Sequence, residues 1–262
     1  MLAPLVAAAL EASTLILEVY ARDDVGGREK ADGSPVTEAD GLAEAAILRR
    51  LAGAFPDVPV VAEEAVAAGR VPALGDDFFL VDPLDGTREF LNRNGDFTVN
   101  IGRVRRGRPV TGVILAPVHG FVFAGVTGHG AWRAEVTGDE LGPWRDVEAS
   151  PPQQPLRVVA SRSHLTPATQ ALIDGLPEAA LTRAGSSLKF CRLAAGEADF
   201  YPCLGPTSQW DTAAGEAILT AAGGRVLRLD GHPLFYGQTP QGFGNPAFVA
   251  SGAFDPTPLL PR

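Results

Sequence analysis

Asp77-Phe78-Phe79-Leu80-Val81-Asp82-Pro83-Leu84-Asp85-Gly86-Thr87-Arg88-Glu89-Phe90 is the stretch on which the fold turns. Phe78 to Val81 is a short apolar run of sheet-forming residues and reads as a buried strand. Pro83 has no N–H for a ladder and pushes its predecessor into an extended conformation, so the strand is expected to stop at Asp82. Gly86 permits a tight corner, and Thr87 starts a helix through Leu91. Two acids therefore bracket the end of a strand, immediately before a helix N-terminus. Carboxylates are hard oxygen donors suited to Mg²⁺, and free N–H groups at a helix start favour an anion such as phosphate. Asp85-Gly86-Thr87 also reads as a plain turn with a helix cap.

Outward from that corner, 262 residues suffice for one large domain or two intimate subdomains. An apolar share of 45% and a charged share of 20% are those of an ordinary globular chain. The net charge of −9 argues against nucleic acid or an anionic membrane surface as partner. A negative protein that handles a polyanion needs a cation as mediator. Cys191 and Cys203 form no C-x-x-C pair and suggest free thiols in a reducing compartment. Leu2 to Tyr20 is apolar, but it lacks a basic flank and carries Glu11 and Glu18, unlike a signal peptide. Its bulky residues at 2, 5, 6, 10, 16 and 19 fit one face of a core helix over Ala3 to Ala21. No uninterrupted apolar run looks long enough to span a bilayer, so a cytoplasmic protein without an integral membrane segment is expected.

Arg22 to Ser34 reads as a mobile polar loop, in which Lys30 and Asp32 are solvated charges or groups able to swing over a site. Thr37 and Asp40 have the T-x-x-D spacing of a capping box at the start of a helix over Gly41 to Ala52. The same Asp40 could serve near metals, helping to deprotonate or orient a water. Val58 to Ala62 is a strand ending in Glu63-Glu64, either a solvated acidic pair or ligands brought beside Asp82. Phe97-Ile101, Val110-Leu115 and Phe121-Ala124 continue as an antiparallel meander. The cluster Arg103-Arg105-Arg106-Arg108 reads as a solvated hairpin tip, with an anion site as the alternative.

Pro151-Pro152-Gln153-Gln154-Pro155 breaks the pattern and marks a boundary between an α+β subdomain, 1–150, and an α/β subdomain, 151–262. Beyond it strands and helices alternate to Arg225-Leu227. Ser161-Arg162-Ser163-His164 follows a strand end, where ligands collect in α/β sheets. Gly185-Ser186-Ser187-Leu188-Lys189 enters a helix with groups suited to an anion. Trp210-Asp211 opens a further helix, with Asp211 as its N-cap or as a distant metal ligand.

Glu63-Glu64, Asp82-Pro83-Leu84-Asp85-Gly86-Thr87 and Trp210-Asp211 together resemble the signature of the Mg²⁺-dependent, lithium-sensitive phosphatases related to inositol monophosphatase. Within that superfamily the chain is most similar to the CysQ-type 3′(2′),5′-bisphosphate nucleotidases. That likeness rests on Thr87-Arg88-Glu89-Phe90, Gly95 to Ile101, Ser161 to His164, Gly185 to Cys191 and Gly205-Pro206-Thr207. It covers roughly residues 30 to 250. The resemblance implies a five-layer αβαβα sandwich, of mixed α+β and α/β character, with the site between its halves. It implies two or three Mg²⁺ ions held by Glu63, Asp82, the Leu84 carbonyl, Asp85 and Asp211. Asp40 and Thr87 would then handle the proton of the attacking water. Gly86, Thr87, His164, Gly185 and Lys189 would contact a nucleotide bisphosphate. The implied reaction releases the 3′-phosphate of 3′-phosphoadenosine 5′-phosphate and leaves adenosine 5′-phosphate. Inositol 1-phosphate and fructose 1,6-bisphosphate are rival substrates. A non-catalytic nucleotide-binding regulator would have lost acids that are all present here. The likeness also leaves room for a homodimer. The family often has a basic residue where this chain has Cys203, after Tyr201-Pro202.

Overall fold

The computed structural model describes residues 2–30, 33–239 and 242–260. Asp32 lies outside the described residues. The first layer is a pair of helices, α1 (Leu2–Tyr20) and α2 (Glu38–Ala54). Between them β1 (Gly27–Glu29) and β2 (Pro35–Thr37) pair as an antiparallel hairpin, where the sequence suggested a loop. Thr37 caps α2 and exchanges hydrogen bonds with Asp40, as the T-x-x-D spacing leads one to expect. In length and composition α1 could cross a bilayer, which corrects the expectation that no segment was long enough. Leu5, Ala9, Ala12 and Ile16 nevertheless bury one face of it with α2 and the adjacent sheet.

That sheet holds β3 (Val60–Ala62), β4 (Asp77–Asp85), β5 (Thr98–Arg105), β6 (Arg108–Ala116), β7 (Phe121–Val126), β8 (Gly130–Thr137), β9 (Glu140–Leu141) and β10 (Arg145–Val147). Its order is β10-β8-β7-β6-β5-β4-β3, with β9 on β8, and only β3 and β4 run parallel. After β3 comes α3 (Glu63–Ala67), so the acidic pair begins a helix rather than trailing off a strand. After β4 comes α4 (Thr87–Leu91), entered through Gly86 at φ 97°, a left-handed conformation that favours glycine.

The strand does not stop at Asp82. It runs through Pro83 to Asp85, because a bulge absorbs the missing N–H: Asp82 faces Asn100 and Asp85 faces Thr98, three steps against two. Of the Arg103-Arg105-Arg106-Arg108 cluster, Arg105, Arg106 and Arg108 are exposed at the β5–β6 hairpin tip as expected, and Arg103 alone departs from that reading. Arg103 is 6% exposed, forms a fork on Asp77 at 2.7 and 2.8 Å, and lies over the Phe55 and Phe79 rings. Arg105 joins the same carboxylate and Arg108 donates to Leu234 O.

The second sheet contains β11 (Leu156–Ser161), β12 (Ala179–Ala184), β13 (Phe200–Cys203), β14 (Arg225–Arg228) and β15 (Phe248–Ser251), in the order β12-β11-β13-β15-β14. Its last strand, β15, is not anticipated by the sequence pattern. Between the sheets lie α6 (Leu188–Ala194) and α7 (Gln209–Ala221), and α5 (Pro167–Asp174) packs on the far side. The stacking is α1/α2, large sheet, α6/α7, second sheet, α5: five layers. Ser208, not Asp211, is the N-cap of α7, and Asp211 at its third position closes the capping box.

The central helix sits close to the large sheet because glycines let it. A Cβ at Gly112 would lie 2.2 Å from Ala214 O, and one at Gly102 2.8 Å from Ala214 N. On the other side of α7, a Cβ at Gly215 would meet the Phe190 ring at 2.4 Å. The depth of α7, and with it the position of Asp211, is set by these missing methyl groups.

Candidate active site

One cavity of about 280 Å³ lies where β4, α4, α6 and the start of α7 meet. Glu63, Asp82, Leu84, Asp85, Gly86, Thr87, His164, Lys189 and Asp211 all line it. The bulge at Pro83 places both aspartates of β4 at its edge, and the αL turn at Gly86 brings in the start of α4. Asp211 arrives from the opposite layer on the first turn of α7.

The acids are close enough to govern one another's ionisation. Burial, followed by repulsion from Glu63, Asp85 and Asp211, pushes the Asp82 carboxyl well above the usual range. Burial and Asp85 do the same to Asp211, which is within hydrogen-bonding reach of Asp82. Burial also raises Glu63, although Lys30 works against it. Among the described residues, no three acid, histidine or cysteine side chains are gathered tightly enough to hold one ion as they stand. Lys30 Nζ, at the turn of the β1–β2 hairpin, binds both Glu63 and Glu64, and Asp82 Oδ1 accepts from Leu84 N at 3.0 Å. Burial disfavours the Lys30 ammonium, but the two glutamates outweigh it and hold its pKa above the ordinary value. Lys30 is thus not a solvated charge: it reaches from the hairpin to an acid that lines the cavity.

The donor set itself suits a divalent cation of the Mg²⁺ kind. It is all oxygen, and four carboxylates crowded into a cavity shed repulsion only by taking up protons or a cation.

Asp40 stands behind the cavity wall. Its Oδ1 accepts from Thr87 Oγ1 at 3.2 Å, and its Oδ2 accepts from Thr37 N and Oγ1 at 2.8 and 2.7 Å. Burial raises the Asp40 pKa, against those two bonds from Thr37. The Thr87 hydroxyl also reaches Leu84 O at 3.3 Å, so its one proton has two acceptors.

Gly185 departs from its expected role. It does not line the cavity, and its N–H is engaged by Asp96 Oδ2 at 3.0 Å. Asp96 also binds Arg162 and His119, tying the loop before β5 to the second sheet. On the far wall, burial followed by the nearby Arg88 lowers the His164 pKa. Burial likewise lowers Lys189, whose Nζ donates to Ser186 O and lies over the Tyr201 ring. Cys203 stands in the same wall, its thiol pushed up by burial.

Two contributors have roles that the sequence did not assign: Ser187, read there only as part of a helix start suited to an anion, and Asn100, read only as part of a strand. Ser187 Oγ lies 2.8 Å from both Asp85 Oδ2 and Asp211 O, bridging the acids of the two layers. Asn100 Nδ2 donates to Asp85 Oδ2 at 3.1 Å and to Ser187 Oγ at 2.8 Å. The available signal was an amide at the centre of the Val99-Asn100-Ile101 stretch of β5, where its flanking residues are apolar and buried.

Comparison with known proteins bears on the family and the fold. The sequence profile of the inositol monophosphatase family matches residues 1–250. The 3′(2′),5′-bisphosphate nucleotidase CysQ of Escherichia coli (strain K12) is 44% identical over 223 residues, covering 85% of this chain and 87% of that one. The Salmonella typhimurium CysQ is 43% identical over 242 residues, covering 92% and 95%. The crystal structure of CysQ from Bacteroides thetaiotaomicron superposes with a TM-score of 0.80 at 36% identity, covering 96% of each chain. An inositol monophosphatase from Anabaena superposes with a TM-score of 0.73 at 27% identity. The chain belongs to the inositol monophosphatase family.

Proposed function

We propose that this protein is a Mg²⁺-dependent 3′(2′),5′-bisphosphate nucleotidase that releases the 3′-phosphate of 3′-phosphoadenosine 5′-phosphate. The observation that carries the reading is the convergence of Glu63, Asp82, Asp85 and Asp211, from three separate elements, on a cavity whose other wall holds His164 and Lys189. The 43–44% identity to nucleotidases over most of both chains favours the nucleotide bisphosphate over other phosphate monoesters.

The four carboxylates and the Leu84 carbonyl would hold the ions, two or three in number. Bound Mg²⁺ neutralises phosphoryl oxygens and acidifies a water. The chain's own groups do the rest. Thr87 Oγ1, between Asp40 Oδ1 and Leu84 O, orients the attacking water and passes its proton towards Asp40, whose carboxyl is made more basic by burial. The start of α4 offers the Gly86 and Thr87 N–H groups to the phosphate, while His164 and Lys189 hold the part of the substrate that does not react. Residues 1–150 and 151–262 act as the two subdomains, the second delivering Asp211. Two free thiols suit a cytoplasmic enzyme.

The test is phosphate release from 3′-phosphoadenosine 5′-phosphate and from inositol 1-phosphate, with Mg²⁺ or with a chelator. Rapid Mg²⁺-dependent release from the nucleotide and slow release from the inositol ester are expected. The reverse preference would move the protein to the other branch, and turnover in chelator would remove the metal.

A further inference from the structure

The chemistry above leaves a second acid on α7 unused. Glu216 follows Asp211 on the same helix, is 7% exposed, and accepts from Tyr236 Oη at 2.7 Å. The same Oη lies 3.1 Å from Thr212 Oγ1. Thr212 Oγ1 accepts from Asn245 Nδ2 at 3.0 Å, and that amide also donates to Ser208 O at 2.7 Å. Ser208 N in turn donates to Asp211 Oδ2 at 2.7 Å. Hydrogen bonds, joined at one point through the backbone of Ser208, therefore lead from buried Glu216 to an acid of the cavity.

We propose that Glu216 is a positioning residue, which through Tyr236, Thr212 and Asn245 fixes the turn at Ser208 and so the way Asp211 is presented to the cavity. The proposal rests on the phosphatase reading, since it assigns the network a purpose in that reaction. The proton count explains how the acid acts. With Glu216 ionised, the Tyr236 O–H points at it, and Oη is free to accept from Thr212. With Glu216 protonated, the Tyr236 O–H can turn to Thr212, and the Thr212 proton then turns to Gln209 O, 3.3 Å away. The two states reverse the Glu216–Tyr236 and Tyr236–Thr212 bonds and move the Thr212 proton between Tyr236 Oη and Gln209 O, while Asn245 donates to Thr212 and to Ser208 O in both. Tyr236 and Arg108 are the titratable or charged groups acting on Glu216. Burial raises its pKa to about 7 in spite of the Tyr236 bond, so both states are populated near neutrality.

Trp210 offers a reporter at the far end of the run. It neighbours Asp211 and packs on Phe243, whose carbonyl accepts from Gln209 N at 2.8 Å. In ¹⁵N-labelled, metal-free protein the Trp210 indole resonance should shift with pH and include a component with midpoint near 7. Glu216→Gln should abolish that component while Trp132 and Trp144 keep their wild-type positions. Glu216→Gln and Tyr236→Phe should each raise the Mg²⁺ concentration for half-maximal turnover roughly tenfold, as loss of an outer-shell partner does. The KM for 3′-phosphoadenosine 5′-phosphate should stay within about twofold. A Trp210 titration unchanged in Glu216→Gln would overturn the proposal. So would unchanged Mg²⁺ dependence in both variants, or a loss that tracks melting temperature alone. A wild-type protein without turnover would instead sink the phosphatase reading, with the Trp210 titration still deciding this one.

Discussion

Asp82 and Asp211 show at the scale of single residues how the site works against the fold. Both carboxyls have folded pKa values pushed well above the unfolded ones, by burial and by neighbouring acids. The stability they contribute is therefore present at low pH and lost as the pH rises through the folded values. Metal-free protein should melt lower at pH 8 than at pH 5, and Asp211→Asn should flatten that slope in differential scanning calorimetry. A slope as steep in the variant would mean that the acid is not repelled. Asp82→Asn should keep its fold, yet lose Mg²⁺-dependent phosphate release by more than the roughly 10–100-fold typical of an outer-shell partner. The acids were legible in the sequence because their type and local spacing carry the chemistry. The bridge that Ser187 and Asn100 make between those acids was not, since the two meet only across 87 positions of chain. Lys30 was misread for the same reason: its partners lie more than thirty residues on, and a polar loop is what its neighbours alone suggest.

Elements place those residues, and two of them do so by unusual means. A bulge lets β4 run past Pro83, so that Asp82 and Asp85 reach the same cavity edge. The Thr37–Asp40 capping box was readable from sequence because it is local, whereas at Ser208–Asp211, equally local, the acid was taken for the cap itself. Strand ends, registers and β15 were not readable, since pairing is settled by partners distant in the chain. The seat of α7 depends on Gly112 and Gly102, where the helix backbone nearly touches the strands. Gly112→Ala should push the helix outward, costing about 1–3 kcal/mol of overpacking and lowering turnover as Asp211 moves. Urea unfolding and steady-state kinetics read both effects, and an alanine tolerated in both would refute this account of the seat. The β1–β2 hairpin is anchored by Lys30, whose side chain is 10% exposed against 26% for Glu63. Breaking a fully buried pair costs about 3–5 kcal/mol, so Lys30→Ala should cost roughly 1–2 kcal/mol after solvent screening. Unfolding within error of wild type would make the pair incidental.

For the whole molecule, five layers place acids from α3, β4 and α7 around one space, and any cation bound there joins layers as well as residues. Mg²⁺ at about 100 times its dissociation constant should therefore add close to 2.7 kcal/mol of stability, and chelation should remove it. Thermal melts with and without chelator measure this, and a melting temperature indifferent to Mg²⁺ would contradict the site. The layering was legible from the order of strand and helix signals and from the family motifs. How closely α7 seats on the large sheet was not, because the glycines that seat it are scattered along strands of the first half. This last feature bears on how the protein is made. Ribosomes deliver the large sheet well before residues 209–221, so its inner face must wait for its cover while the intervening segment is translated. At about 5–20 residues per second that interval lasts several seconds. Throughout it the nascent chain displays Leu80, Ile114 and Phe123 unprotected, and a holding chaperone would find its binding surface there.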